Sequence, residues 1–284
     1  MAYLNSPMNY IGNKYRLLDQ IIPLLPKSNC FVDLFSGGLD VAINYSPTNC
    51  SMVYCNDVNY HLIDIYKSFQ KIDYDLLLTI LDSKIMEFGL SKTNLEGYLN
   101  FRDYYNNSDK DPLDLYLLMN YSFNYQLRFN SNHEYNNPFG RNRSSFNNSI
   151  KKRLSTFIET IRNYEFSSVD FRNFDYSRLQ KGDLVYCDPP YSISTGSYND
   201  GKRGFNGWGV QDDIDLINLL DNLSAKGITF AMSNVLKHKG KTNVVLAEWS
   251  KKYTVYNLEC NYNNSSYHLI NTESETREVL ITNE

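Results

Sequence analysis

A β-α-β unit near the start of the chain constrains the fold more than any other feature of the sequence. The apolar run Cys30–Phe35 predicts a buried strand, and Ser36-Gly37-Gly38 breaks it with a turn. A second strand-like run, Met52–Cys55, ends in Asn56-Asp57, and a helical pattern from Leu62 to Phe69 follows. This order of elements is typical of an α/β sheet of parallel strands.

Later segments extend the sheet beyond a helical block. From about residue 71 to residue 150 long helical patterns dominate, with a loop rich in Asn, Arg and Ser from Asn130 to Ser149. We therefore expect residues 1–70 and 151–284 to form the α/β domain and residues 71–150 to be a helical insertion. The later strands are expected at Phe166–Val169, Leu184–Cys187, Ile228–Met232, Tyr253–Leu258, Tyr267–Ile270 and Glu278–Thr282, and helices near Ile214–Leu223 and Val244–Lys251.

The segment Asp188-Pro189-Pro190-Tyr191 follows one of these strand-like runs and carries the clearest chemistry. The Asp188 carboxylate and the main-chain carbonyl of Pro189 can each accept one N–H bond of a planar amine, and Tyr191 can stack on its ring. Both prolines restrict the backbone, and neither has a main-chain N–H that competes for these acceptors. The segment predicts a rigid site that prepares an aromatic amine for methylation. The alternative is an ordinary Asp-Pro turn at a strand end.

Three further strand ends predict a cofactor site. The Gly37-Gly38 turn lets the chain pass close to a ligand, and the next helix offers N–H groups to a carboxylate. Asp57 stands where an acid binds ribose hydroxyls in such folds. Asp170-Phe171 would supply a hydrogen bond and a face for an adenine ring; a tight turn and a core Phe are the alternatives. Because Phe35-Ser36-Gly37-Gly38 is not G-x-G-x-x-G, a dinucleotide site is disfavoured.

Composition excludes several classes of protein. The 284 residues are 42% apolar, enough to bury a full core, and no apolar run approaches the length of a membrane span. The N-terminus has neither a basic start nor an apolar stretch, so we expect a cytoplasmic protein. The five cysteines show no C-x-x-C spacing, so we expect neither a disulfide framework nor a bound metal.

Basic residues concentrate in two stretches although the net charge is −4. Either stretch can be a solvated surface, but beside a site for base chemistry both predict contacts with phosphates. The first contains Arg128, Arg141, Arg143, Lys151, Lys152 and Arg153; the second contains Lys237, Lys239, Lys241, Lys251 and Lys252.

In motif order the chain resembles the Dam-type adenine-specific DNA methyltransferases of the class alpha arrangement. The resemblance covers nearly the whole chain and implies a Rossmann-like, S-adenosylmethionine-dependent catalytic domain with a helical target-recognition insertion. The matching motifs are Tyr10-Ile11-Gly12-Asn13-Lys14, Phe31–Gly38, Asn56-Asp57, Pro138-Phe139-Gly140, Asp188-Pro189-Pro190-Tyr191 and Ser233-Asn234. It further implies that the cofactor is bound by Tyr10, Lys14, Phe35, Gly37, Gly38, Asp57, Asp170, Phe171 and Asp188, with Asp188 shared by the target base.

The resemblance also implies a mechanism and a partner. Double-stranded DNA would have its adenine flipped out, and the amine would attack the sulfonium methyl directly, without a metal. GATC is the implied target, and a bacterial or phage-infected cell is the setting. Arg and Asn suit base edges, so the candidates for base reading are Arg128, Asn130, Arg141 and Arg143, each with a phosphate contact or a solvated side chain as the alternative. Pro138, from a matching motif, and Lys151 and Lys152, from the basic stretch, complete the DNA-binding candidates. The sequence leaves open the oligomeric state and whether the enzyme works beside a restriction endonuclease.

Asp40 departs from the family pattern, in which close relatives often carry a small polar residue there. An acid at this position would repel the methionine carboxylate, unless its side chain turned to solvent and completed the helix start. Two other functions remain as alternatives. One is the same fold acting on another planar amine, such as an RNA adenine or a cytosine. The other is a catalytically silent DNA-binding protein.

Overall fold

The computed structural model describes residues 3–193, 207–259 and 276–284, and these residues form one mixed sheet between helices. The strands are β1 (Cys30–Asp33), β2 (Met52–Asn56), β3 (Glu165–Ser167), β4 (Leu184–Cys187), β5 (Thr229–His238), β6 (Lys241–Thr242), β7 (Thr254–Leu258) and β8 (Arg277–Thr282). Their spatial order is β3-β2-β1-β4-β5-β8-β7, with β6 paired to the end of β5. The first five strands in this order are parallel, so the expected α/β class is confirmed.

The central strands β1 and β4 are buried on both faces, as their continuous apolar sequences predict. They pair in register, with Phe31 opposite Leu184 and Asp33 opposite Tyr186. From β1 the chain moves outward to β2 and β3 on one side, and it later returns to β4 on the other side. Ligands of open α/β sheets bind at the carboxyl ends of strands where the strand order reverses in this way.

Helices cover both faces of the sheet. They are α1 (Leu18–Ile21), α2 (Asp40–Asn49), α3 (Tyr60–Gln70), α4 (Tyr74–Glu87), α5 (Leu95–Asn107), α6 (Pro112–Tyr121), α7 (Asn148–Ile161), α8 (Val210–Ala225) and α9 (Val244–Trp249). One hydrophobic core joins α1 to α7 to one face, and a second joins α8 and α9 to the other. The helices α4 to α6 of the 71–150 block therefore share a core with the sheet.

Helix α7 was not predicted from the sequence. The Asn147 side chain caps its start by accepting hydrogen bonds from the backbone N–H groups of Ser149 and Ile150. Its buried residues, Ile150, Leu154, Phe157, Ile158 and Ile161, recur at helical spacing, which is a signal that the sequence carried.

The strands expected after the helical block agree with the structure within a few residues, except that β5 continues well past Met232. The strand expected at Tyr267–Ile270 lies outside the described residues. Within the described ranges, no helix is both long enough and apolar enough to cross a membrane.

Candidate active site

A cavity of about 1100 Å³ opens at the carboxyl ends of the parallel strands, where the strand order reverses. Residues from β1, β2 and β4 meet there because parallel strands present their carboxyl ends at one edge. Every residue predicted to bind the cofactor or to hold the amine lines this one cavity: Tyr10, Lys14, Phe35, Gly37, Gly38, Asp57, Asp170, Phe171, Asp188, Pro189, Pro190 and Tyr191.

The Asp188 carboxylate already has two partners in the structure. Its Oδ2 atom lies 2.6 Å from the Nζ atom of Lys14, and its Oδ1 atom accepts a 3.0 Å hydrogen bond from the hydroxyl of Tyr191. Lys14 lies 5.3 Å from the centre of the Tyr191 ring and donates a further hydrogen bond to the carbonyl of Gly12. The N-terminal segment therefore supplies the cation that faces Asp188.

Burial raises the pKa of the Asp188 carboxyl, and the Lys14 ammonium opposes that rise. Burial also raises the pKa of Asp33 at the end of β1, and the nearby charges of Asp188 and Asp57 raise it further. Asp33 is therefore biased toward its protonated form, whereas Lys14 favours the ionised form of Asp188.

The Gly37-Gly38 turn packs directly against Tyr10. Gly37 has φ +43, and a Cβ atom added there would lie 3.1 Å from the Tyr10 ring, so a side chain would be strained and crowded. The backbone N–H of Gly37 donates a 2.9 Å hydrogen bond to Oδ2 of Asp57, and the N–H of Asn59 donates a 2.8 Å bond to Oδ1. Asp57 thereby fixes the turn. It also lines the cavity, and each of its oxygens can accept a further hydrogen bond.

Asn56 joins the ends of three strands behind the cavity. Its side-chain amide donates to the carbonyls of Leu34 and Val169 and accepts from the hydroxyl of Ser167 and the N–H of Val169. Asn56 is 1% exposed, so these four hydrogen bonds are shielded from water. Asn56 therefore sets the spacing between the ends of β1, β2 and β3 on which the cavity depends.

Three aromatic rings form one wall of the cavity. Phe35 lies 5.6 Å from Phe171 and 5.4 Å from Trp208, measured between ring centres. The indole N–H of Trp208 donates a 2.7 Å hydrogen bond to the buried Asp213, which also accepts from the Ser192 hydroxyl. Sequence reasoning missed Trp208, because nothing near it in the sequence relates it to the other two rings.

Asp170 lines the cavity, but its carboxylate is engaged with Arg172. Oδ1 accepts from the backbone N–H of Arg172 at 2.9 Å, and both oxygens lie within 3.2 Å of its guanidinium. Arg172 also pairs with Asp212 and Asp215 and lies over the Phe171 ring. Any hydrogen bond from a ligand to Asp170 would join this network.

The Asp40 side chain does not turn to solvent. It is 5% exposed, lines the cavity, and accepts a 3.4 Å hydrogen bond from the backbone N–H of Ser6. The solvent-facing alternative considered from the sequence is therefore wrong. Burial raises the pKa of Asp40 to about 7, although the Ser6 N–H and the Lys14 charge oppose the rise. Near neutral pH this acid is thus only partly ionised.

The polar atoms of the cavity wall fit a polar ligand. Among the described residues, the buried atoms Oδ1 of Asp33 and Oγ of Ser36 have no hydrogen-bond partner, and both residues line the cavity. Buried polar groups are normally satisfied by protein, water or ligand. Two unsatisfied polar atoms, an aromatic wall and the Asp57 carboxylate suit a ligand that carries an aromatic ring and hydroxyl groups.

The residues predicted to bind DNA lie outside this cavity and differ in their surroundings. The side chains of Arg128, Arg141, Arg143 and Lys152 are exposed. Lys151 instead forms an ion pair with Asp82 at 2.7 Å and lies against the Phe146 ring. In this structure Lys151 therefore connects α7 to α4.

Asn130 is also engaged within its own loop. Its amide donates a 2.7 Å hydrogen bond to Oε2 of Glu134, and its carbonyl oxygen accepts from the N–H groups of Asn132 and Glu134. A base-reading Asn must present both ends of its amide to adenine. In this structure the Asn130 amide instead closes the turn between Arg128 and Asn136.

Pro138 and Gly140 shape the neighbouring loop. The Pro138 carbonyl accepts a hydrogen bond from the N–H of Phe123, and the N–H of Gly140 donates to Tyr121. A Cβ atom at Gly140 would lie 2.6 Å from the Ser122 carbonyl oxygen, so only glycine fits there. This packing attaches the loop that carries Arg141 and Arg143 to the end of α6. Gln126, close to Arg128 in sequence, reaches the cavity wall.

The second basic stretch divides between two places. Lys239 and Lys241 are exposed at the turn between β5 and β6, which continues from the carboxyl end of β5. Lys251 and Lys252 instead pair with Glu248 and Asp221 on the helical face. Of these four lysines, only Lys239 and Lys241 lie at the edge of the sheet where the cavity opens.

Glu278 is a buried acid that sequence reasoning did not assign to the site. It lies in β8 with its side chain 7% exposed, and its Oε1 atom is 3.4 Å from the Tyr191 hydroxyl and 3.9 Å from Nζ of Lys14. The one signal in the sequence was an acid within the apolar run Glu278–Thr282.

Comparisons with known proteins agree with this geometry. The sequence pattern of the family described as D12 class N6 adenine-specific DNA methyltransferase matches residues 10–264. The chain is 50% identical to the type II methyltransferase M.FokI of Planomicrobium okeanokoites, over 99% of this chain and 43% of that protein. The modification methylase StsI of Streptococcus sanguinis is 47% identical over the same shares. This chain therefore spans less than half the length of these two relatives.

A more distant relative has a length closer to that of this chain. The DNA adenine methylase of Escherichia coli strain K12 is 30% identical over 80% of this chain and 79% of its own length. The resemblance to Dam-type adenine methyltransferases is thus confirmed. From the family pattern and the extent of these matches, the chain belongs to the D12 class N6 adenine-specific DNA methyltransferases.

Proposed function

We propose that this chain methylates the exocyclic amine of adenine within a short sequence of double-stranded DNA, using S-adenosylmethionine. The observation that carries the proposal is the single cavity lined by both the Asp188–Tyr191 segment and the cofactor candidates. A transfer between two bound molecules requires both sites to open into one space, because the reacting atoms must meet.

The cavity wall supports S-adenosylmethionine as the methyl donor. Phe35, Phe171 and Trp208 offer faces to an adenine ring, and Asp57 offers lone pairs to ribose hydroxyls. When bound, S-adenosylmethionine supplies an electrophilic methyl group on a positively charged sulfur. Asp40 is the residue least suited to the methionine carboxylate, and its raised pKa reduces the repulsion near neutral pH.

Asp188 and Pro189 act on the amine of the flipped base. Each accepts one N–H bond, which draws the nitrogen away from planarity and makes its lone pair available. Tyr191 stacks on the base and offsets part of the few kcal/mol that flipping requires. The acceptor must be the ionised form of Asp188, which the Lys14 ammonium favours.

The DNA is expected to lie across the carboxyl edge of the sheet. Residues 71–150 serve as the target-recognition block, and residues 1–70 and 151–284 as the catalytic domain. Arg128, Arg141 and Arg143 are the candidates for base reading because their guanidinium groups are exposed. Lys152 and the turn bearing Lys239 and Lys241 are the candidates for phosphate contacts.

The target sequence and biological setting stay as hypotheses. GATC is the target implied by the Dam-type resemblance. The relatives of higher identity carry the names of type II and modification methylases, which supports a partner restriction endonuclease in the same system.

Methyl transfer from labelled S-adenosylmethionine to unmethylated genomic DNA tests the proposal, with modified positions mapped by single-molecule sequencing. We expect N6-methyladenine within one short motif, and that motif decides whether GATC is the target.

Asp188→Ala should abolish turnover and retain most DNA affinity, whereas Asp175→Ala, at an exposed position, should behave as wild type. If the protein binds S-adenosylmethionine but does not methylate DNA, the acceptor is another amine. If it neither binds S-adenosylmethionine nor methylates DNA, a catalytically silent DNA-binding protein is favoured.

A further inference from the structure

The Asp213 carboxylate, in the first turn of α8, accepts hydrogen bonds from side chains at three different places in the chain. Its Oδ1 atom accepts from the indole N–H of Trp208 at 2.7 Å. Its Oδ2 atom accepts from the Ser192 hydroxyl at 2.7 Å and from the Asn243 amide at 2.8 Å. Asp213 is 4% exposed, so little water competes for these bonds. One buried carboxylate therefore joins three segments.

Two of these segments form parts of the active-site cavity. Trp208 lines the cavity as one of its three aromatic rings. Ser192 directly follows Tyr191, which lines the same cavity and is expected to stack on the target base. Asp213 therefore connects a ring of the cofactor wall to the residue next to the base-stacking tyrosine.

Only a carboxylate satisfies this arrangement of donors. The indole N–H of Trp208 can donate a hydrogen bond but cannot accept one. The Asn243 amide cannot turn round without losing another bond, because its Oδ1 atom accepts from the backbone N–H of Leu246 at 3.0 Å. Two donors of fixed direction thus meet the two oxygens of Asp213. In Asp213→Asn the new NH2 group would oppose one of these donors at 2.7 or 2.8 Å.

The helix that carries Asp213 is itself firmly held. Helix α8 packs into the second hydrophobic core through Leu216, Leu220 and Leu223. The neighbouring Asp212 accepts a 2.8 Å hydrogen bond from the backbone N–H of Gly209, which fixes the start of the helix. The helix dipole also favours a carboxylate in the first turn. A side chain on such a rigid element can position the groups that it binds.

We propose that Asp213 is a positioning residue for methyl transfer, which fixes the indole of Trp208 in the cofactor wall and, through Ser192, sets the placement of Tyr191 at the target base. The inference rests on the proposed function and deepens it. Direct transfer requires the methyl carbon and the amine nitrogen to be aligned, and a displacement of about 1 Å can cost roughly 100-fold in rate. A carboxylate that attaches both sides of the cavity to one helix limits that displacement.

Asp213→Asn tests the role of the carboxylate, and α8 provides a matched control. Asp221 of the same helix accepts a 2.7 Å hydrogen bond from the indole N–H of Trp249 but does not line the cavity. We expect Asp213→Asn to weaken S-adenosylmethionine binding by about three- to tenfold, measured by calorimetric titration. Its single-turnover methylation rate at saturating cofactor and DNA should fall by about tenfold or more. Asp221→Asn should leave both quantities near their wild-type values.

Two smaller changes separate the two contacts. Ser192→Ala removes the link to Tyr191 and leaves the Trp208 bond in place. Its methylation rate should fall by about threefold or more, while its dissociation constant for S-adenosylmethionine stays within about twofold of wild type. Trp208→Phe keeps a ring but removes the indole N–H, so it should weaken cofactor binding more than it slows the saturated rate. A purely structural residue would not produce this division between rate and affinity.

Several results would overturn the inference. One is a wild-type cofactor affinity or a wild-type rate for Asp213→Asn, and another is an equal loss in Asp221→Asn. If Asp213→Asn does not fold, Ser192→Ala decides alone, and a wild-type rate for that variant would refute the role. A wild-type protein that binds cofactor and DNA but methylates nothing would instead refute the proposed function. The cofactor affinities of the two Asp→Asn variants remain measurable in that case, which separates the two failures.

Discussion

The ammonium of Lys14 lies 2.6 Å from the Oδ2 atom of Asp188 and favours the ionised form of that carboxylate. In the proposed reaction ionised Asp188 is the acceptor, so activity should be present above its pKa and lost as the pH falls through it. Burial raises that pKa and Lys14 opposes the rise. Lys14→Gln should therefore move the acid limb of the rate profile to higher pH. Single-turnover rates across pH check this; an unmoved limb would contradict it.

Asp40 should destabilise the protein at alkaline pH. Its pKa is about 7 in the folded chain and near 4 when unfolded, so the folded form binds more protons between these values. Its contribution to stability therefore falls as the pH rises from about 4 to about 7. Asp40→Asn should be more stable than wild type at pH 8 by on the order of 1–4 kcal/mol, with little advantage at pH 4.

The same substitution should tighten cofactor binding. At pH 8 the ionised Asp40 faces the cavity, and Asn removes its repulsion of a carboxylate. Calorimetric titration with S-adenosylmethionine checks this. An equal affinity of both proteins at pH 8 would show that the methionine end binds away from Asp40.

Substitution of Arg128 should show whether this residue reads a base or contacts a phosphate. If its exposed guanidinium reads a guanine, Arg128→Ala should lose about 1–3 kcal/mol of discrimination at one position of the target. Methylation rates on duplexes with every single-base change check this. Lys152→Ala should weaken binding evenly on all sequences and reduce its salt dependence. If Arg128→Ala also weakened binding equally on all sequences, Arg128 would be a phosphate contact.

Gly140 should be intolerant of a side chain. An alanine Cβ would lie 2.6 Å from the Ser122 carbonyl oxygen and 2.4 Å from the Ser144 hydroxyl oxygen. Gly140→Ala should lower the free energy of unfolding by about 1–3 kcal/mol, measured by urea denaturation. The control is Gly209→Ala, where the nearest atom is 3.8 Å away and the loss should stay below about 1 kcal/mol.

Trp208 should report cofactor binding by fluorescence. The chain has two tryptophans, and Trp249 packs against Phe230 in the second core. In Trp249→Phe, cofactor should therefore change the emission of Trp208, and adding Phe171→Ala should weaken binding by about two- to tenfold. Trp208→Phe retains Trp249 and should give no response; a response there would place the cofactor elsewhere.

The sequence predicted the parts of the site that lie at strand ends. Apolar runs identify β1, β2 and β4, and parallel pairing alone brings Asp57 near Asp188. Glu278 could not be found in this way, because its position depends on β8 returning antiparallel beside β5. The local use of Asn130 could not be predicted either: its amide closes a turn, which residue type alone does not reveal.

Because α4 to α6 share one hydrophobic core with the sheet, residues 71–150 do not form a separable module. Exchanging residues 71–150 between relatives would cut through that core and would be expected to yield insoluble chimeras. If this region reads the target as proposed, a new target sequence should be reached through the exposed loop residues around Arg128, Arg141 and Arg143, which can change without repacking the interior.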